Sequence, residues 1–169
     1  MNTMASRSMT DRMIGAARLD VSVYEEVEAD STATGQAAGV VAIVALCSAI
    51  GGIGGGAQGV FSGLIAALVG WAIWAGVTYL IGDKVLGGTA TWGELLRTLG
   101  FAQAPGVLFA LGVIPLLGGL ITIAVGLWIL VTGIVAIRQA LDFGTGRAIA
   151  TAILGFIPYV MLAAMLRPG

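Results

Sequence analysis

"GGLITIAVGLWILVTGIVAI", residues 118–137, runs for 20 positions without an Asp, Glu, Lys, Arg or His. At about 1.5 Å per residue, a helix of that length covers the roughly 30 Å hydrocarbon core of a bilayer. The stretch therefore reads as a transmembrane helix, and it decides the class of the fold. Outward from it lie further apolar runs at 31–53, 59–81 and 97–115 on one side and 147–166 on the other. The whole chain of 169 residues is 58% hydrophobic and 10% charged, with a mean hydropathy of +1.00. A soluble domain carries about a quarter of its residues charged. The expected fold is all-α and polytopic: a five-transmembrane-helix bundle over 31–169, preceded by a leader over 1–30.

The leader holds nine of the seventeen charged residues and sums to −3. Met13, Ala17, Val21 and Tyr24 recur at helical spacing, predicting an amphipathic helix on the membrane or across the end of the bundle. Ser22 and Glu25 also match a capping box, which would split the segment into two short helices, and Leu19, Val21 and Val23 alternate as in a strand. The first apolar run begins near Ala37, too far along for a cleavable signal peptide, so the first span is expected to be retained. Asp30 is the expected N-cap of that span, and Thr91 with Glu94 forms a capping box ahead of the third.

Cations set the expected orientation. Arg7, Arg12 and Arg18, then Lys84 and Arg97, then Arg138 and Arg147 fall on one face of a five-span chain, with Arg167 alone opposite. The positive-inside rule places that face in the cytoplasm and the C-terminus outside, in the cell (inner) membrane. Arg97, Arg138 and Arg147 form a basic rim there, facing the acidic leader residues Glu25, Glu26 and Glu28. With Tyr24, those acids are the candidate partner-binding residues.

Small residues mark candidate packing faces. Gly59, Gly63 and Ala67 share one face of the second span, Ala38, Ala42, Ala45 and Ala49 one face of the first, and Gly119, Gly126 and Gly133 repeat on the fourth. Such stripes let helices approach closely within a bundle or between subunits. Gly54, Gly56 and Gly59 fit G-x-G-x-x-G, but they join two spans with no strand before them, so they read as a turn and not a nucleotide site. Trp71, Trp74 and Trp128 lie mid-span, each needing an acceptor for its indole N–H, and would line a cavity or pack on glycine faces.

The inventory of reactive groups is thin. No Asp, Glu, Lys, Arg or His falls in 31–82, 98–137 or 148–166, where a pump or proton-coupled carrier places one. Histidine is absent, Cys47 is the single cysteine, and no nucleophile has a base or metal partner at membrane depth. Neither catalysis nor a cofactor or metal is expected, and a net charge of −1 offers no field for nucleic acid.

One feature interrupts the third span: "LGFAQAPGVL", residues 99–108, carries Gln103 and Pro105 inside an apolar run. Gly100, Phe101, Gln103 and Pro105 read as a kinked packing junction, with Gln103 expected to bond a neighbouring helix or a carbonyl freed by the proline. This stretch resembles the Gly-Tyr…Ser-Pro segment of the Yip family, the Ypt/Rab-GTPase-interacting membrane proteins, especially the bacterial branch. Phe101 stands for Tyr and Ala104 for Ser. "LDVSVYEEVEADSTATGQA" resembles the family's leader, so the likeness covers about 19–166. The Asp-Leu-Tyr-Gly-Pro motif of eukaryotic members is missing, which argues against GTPase binding. The resemblance implies a non-enzymatic adaptor or membrane-organising role. A scaffold or accessory subunit that binds other membrane proteins or a second copy is the leading expectation. The alternative is a passive channel or carrier for a small neutral or lipidic molecule.

Overall fold

A computed structural model describes residues 7–52 and 56–165, with side chains at 7–52 and 59–155. All its regular elements are helical: α1 Met9–Ala17, α2 Val21–Ala29, α3 Ala33–Ile50, α4 Gly56–Tyr79, α5 Trp92–Ala102, α6 Gly118–Ala140 and α7 Thr145–Met165. A π-helical turn, Leu80–Val85, extends α4, and a 3-10 segment, Ala104–Val113, extends α5 beyond Gln103. Among the described residues, four helical stretches are long and apolar enough to cross a membrane: Ala33–Ile50, Gly59–Val85, Trp92–Val113 and Gly118–Ala140. The protein is thus all-α and multi-pass. The G-x-G-x-x-G series lies in part outside the described residues.

The leader forms two helices. Leu19 takes a left-handed φ of 64° and turns the chain. Asp20, not Ser22, then caps α2, its carboxylate accepting from the Ser22 N–H at 3.0 Å. The hairpin does not lie across the end of the bundle. It packs along the bundle's flank against α5 and α6, and Ala16, Val23, Tyr24 and Val27 are buried in the common core. Trp128, ten residues into α6, donates its indole N–H to Ala17 O at 2.8 Å, so α1 reaches midway along that helix.

Asp30 also departs from its expected role. It ends α2, and its carboxylate accepts from the Thr32 N–H at 3.0 Å, a local turn that delays α3 until Ala33. The Thr91–Glu94 box forms as expected: Thr91 N donates to Glu94 Oε2 at 2.7 Å, and Glu94 N to Thr91 Oγ1 at 3.3 Å. Because that cap starts the helix at Trp92, Arg97 sits inside α5 and not at its edge.

Short α5 is the centre of the molecule, packed by α1, α2, α3, α4 and α6, with Leu95, Leu99, Phe101 and Ala102 fully buried. Its continuation shows what Pro105 does. Pro105 has no N–H to give, which in a 3-10 geometry orphans the carbonyl of Ala102. Thr132 on α6 supplies the missing donor, its hydroxyl 2.6 Å from Ala102 O. Replacing Thr132 with Val removes this bond while keeping the shape. It should lower the unfolding free energy in detergent by about 1 kcal/mol, read as a lower melting temperature.

Candidate functional site

The elements that carry the polar residues converge at one end of the bundle. Thr89, in the α4–α5 connection, donates to Asp142 in the α6–α7 connection at 2.8 Å. Glu25, Glu28, Glu94 and Asp142 line a shared cleft with Gln139. The C-terminal end of α2 and Arg97 of α5 meet the α4–α5 and α6–α7 connections there.

The acidic leader residues are divided by burial. Tyr24 is not a surface residue: it is fully buried, and its hydroxyl donates to Ala16 O at 2.9 Å, pinning α1 to α2. Burial pushes its phenol well above the usual range. Glu26 is engaged inside the hairpin, 3.0 Å from Arg7 and 2.9 Å from Arg12. Arg12 is the residue the sequence reading passed over. Its side chain is 1% exposed, with Asp30 at 2.7 Å and Gln36 Oε1, on α3, at 3.0 Å. A single guanidinium thus ties α1, α2 and α3 together through a planar fork of donors.

Among the described residues, Arg97 forms no salt bridge with a carboxylate. It is buried on α5 and donates through Nε to Val27 O at 2.9 Å and through Nη2 to Glu28 O, capping the final carbonyls of α2. A cation at a helix C-terminus is favoured by the macrodipole. Arg138 likewise sits in the last turn of α6, and exposed Arg147 stacks 5.5 Å over the Phe143 ring.

Glu25 and Glu28 remain on the cleft. Burial, then the neighbouring charges of Glu94 and Asp142, push the Glu28 carboxyl up to about 7, against an ordinary 4.5. A folded value above the unfolded one means a stabilising contribution that is complete below 4.5 and lost as pH rises through 7. Glu28→Gln should flatten the pH dependence of hairpin protection between pH 4.5 and about 7. Near pH 8 it should tighten seating by on the order of 1 kcal/mol, solvent screening having discounted the effect. Hydrogen exchange over α1 and α2 measures both.

The junction residues split in the same way. Gly100, Phe101 and Pro105 are buried, and at Gly100 α5 comes close to α3: a Cβ there would lie 2.7 Å from Ala37 Cβ. Gln103 behaves otherwise. Among the described residues its side-chain amide has no partner; it faces a cavity of about 540 Å³ shared with Trp71, Trp74, Gly126, Gly133 and Ile153. Trp71 finds an acceptor in Leu96 O at 3.0 Å, whereas the buried Trp74 indole N–H has none among the described residues. Of the second-span stripe, Gly63 is exposed with nothing within 4 Å of an added Cβ, while Ala67 packs partly against the core.

Helices, junction and leader together match a known pattern. The family model of the Yip1 domain matches residues 22–166, nearly the whole of this arrangement. The chain belongs to the Yip1-domain family. α1 precedes the matched region, which begins within α2. No curated protein and no solved structure matches the chain. Yip1-domain proteins are non-catalytic, and this one is no enzyme. Among the described residues, no group of three or more His, Cys, Asp or Glu could hold a metal ion.

Proposed function

We propose that this Yip1-domain protein is a membrane scaffold or accessory subunit that binds other membrane proteins, or a second copy of itself, in membrane organisation or trafficking. Five spans cross the cell membrane in this reading, with the leader in the cytoplasm and the C-terminus outside; the seven cations that a five-span threading of the sequence assigns to one face support that orientation. Glu25 and Glu28, with Glu94 and Asp142, offer the partner an acidic rim.

The observation that carries the proposal is the exposed first half of α4. Phe61, Ile65 and Val69 are exposed along one side and Gly63 on the opposite side, and among the described residues nothing lies within 4 Å of a Cβ built on Gly63. In lipid, where the hydrophobic effect does not drive helices together, a glycine facing outward permits a close approach by another helix. Gly63→Ile should leave the melting temperature of the purified protein unchanged and abolish cross-linked species formed in native membranes. Cross-linking equal to wild type in that variant would refute the reading.

A further inference from the structure

The tip of the leader hairpin lies at a depth that its outer face does not suit. Trp128 stands ten residues into the apolar helix Gly118–Ala140, about 15 Å along its axis. That is near the middle of a hydrocarbon core of roughly 30 Å. The Trp128 bond to Ala17 O therefore holds the α1–α2 turn at mid-membrane depth. Around that level α6 turns Leu127, Leu130 and Val131 outward, all exposed and all apolar, as contact with acyl chains requires.

The hairpin carries charge toward the same depth. Asp11, Ile14 and Arg18 are exposed at helical spacing along α1, and Asp20 follows at the turn. With Arg7 they border a groove of about 400 Å³. Arg18 adjoins Ala17, and among the described residues its side chain has no partner. Asp20 accepts the Ser22 N–H at 3.0 Å and the Ser22 hydroxyl at 2.7 Å, both on Oδ1, so Oδ2 is unengaged among the described residues. At membrane depth a charged side chain faces an opposite charge or a polar interior, because acyl chains cannot solvate it. The outer flank of the hairpin is therefore not a lipid-facing surface.

Its charges name what covers it. Arg7 and Arg18 against Asp11 and Asp20 sum to zero. A strongly basic or strongly acidic partner would leave one sign unmet, whereas the same surface on a second copy meets both. A two-fold contact uses every pair twice, residue i on j and j on i. Arg18 and Asp20 are two positions apart at the turn, so an axis along the membrane normal brings them to the same level on both copies.

We propose that the outer flank of the α1–α2 hairpin is an interface between two copies of this chain within the membrane. Arg18 of each copy pairs with Asp20 of the other, and the exposed Ile14 and Leu19 pack between them. The proposal rests on the scaffold reading and deepens it, naming a second copy as the neighbour on this face.

The test is disulfide trapping of the full chain in native membranes, with Ile14→Cys in a Cys47→Ser background and copper phenanthroline as oxidant. Ile14 is 46% exposed and uncharged, so the substitution leaves the ion pairs in place. A linked species of twice the chain mass should form. Adding Arg18→Glu sets two carboxylates against each other and should cut its yield by about tenfold, while Arg18→Lys should keep it. The melting temperature of Arg18→Glu in detergent should stay close to that of wild type, since Arg18 has no partner to lose inside the chain. Val131→Cys, on the lipid-facing side of α6, should give little linked species. A monomer at Ile14→Cys, a linked species of any other mass, a yield matched by Val131→Cys, or a dimer that persists in Arg18→Glu would overturn the proposal. The species that Gly63→Ile abolishes are bridged across α4. Failure at Ile14→Cys thus leaves the α4 contact standing, and failure at α4 leaves the disulfide.

Discussion

Arg12→Ala releases the α1–α2 hairpin from the bundle. The substitution removes the guanidinium that Asp30, Glu26 and Gln36 share and leaves Asp30 without its counter-charge, while Glu26 keeps Arg7. Breaking a buried ion pair from one side costs about 3–5 kcal/mol. Both carboxylates are 26% exposed and so can recruit water, which places the expected loss near the lower end, about 3 kcal/mol. Hydrogen exchange in α1 and α2 should accelerate roughly a hundredfold, with little change in α4 and α7. Arg12→Lys keeps the charge but cannot form the fork, and should fall between the two. Acid should act in the same direction as the alanine variant. The Asp30 carboxyl is held below the usual range, first by its bond from Thr32 and then by Arg12, so its contribution is present above the ordinary carboxylate value and lost as pH falls. Exchange in the hairpin of Arg12→Ala that matches wild type would remove Arg12 from this role.

Gly100→Leu should be as severe, by the opposite route. There the side chain meets Ala37 Cβ, and also the Ala37 Cα and carbonyl oxygen at 3.2 Å, so α3 and α5 must separate. Overpacking of this kind costs about 3 kcal/mol where backbone has to yield. The expected result is a large drop in melting temperature in detergent. The milder Gly100→Ala should be partly rescued by Ala37→Gly, because the nearest obstructing atom is the Ala37 methyl. Gly63→Ile supplies the contrast: a larger side chain on an equally apolar helix, at a position where the fold does not resist it.

That contrast explains what the sequence made legible. Charge-free runs mark α3, α4 and α6 as membrane spans because each run is long, apolar and free of charged side chains. Thr91 with Glu94 marks the start of α5, and Pro105 its interruption, because both are local chemistry. Facing is another matter. The Ala38–Ala42–Ala45–Ala49 series looks like the contact face of α3, yet the buried residues are Ala33, Ala37, Val40, Val41 and Val44. A helix apolar all round has no moment that tells core from lipid. Gly63 and Gly100 belong to similar patterns for the same reason and have opposite surroundings. The seat of the leader was hidden differently. Arg12, Glu26, Asp30 and Gln36 are spread over 24 residues, and only the turn at Leu19 brings them together. Gln103 was noticed for the right reason, a polar group in an apolar run, but its partner is a space and not a neighbouring helix.

The 3-10 segment has a consequence for how the third span is phased. At three residues per turn, Gly106, Phe109 and Gly112 fall in one straight row that abuts Val44 and Gly51 of the α3 end, while Leu108, Leu111 and Ile114 form an exposed row. Rewound as α-helix, the ten residues of Ala104–Val113 would advance about 5 Å less along the axis and turn about 200° less. The glycine row would swing away from α3, and the leucine row would lose its straight line along the lipid face. Pro105 thus fixes an angular relation between the two halves of the span, so that inserting or deleting one residue between Gln103 and Ile114 would act as a rotation of everything beyond it.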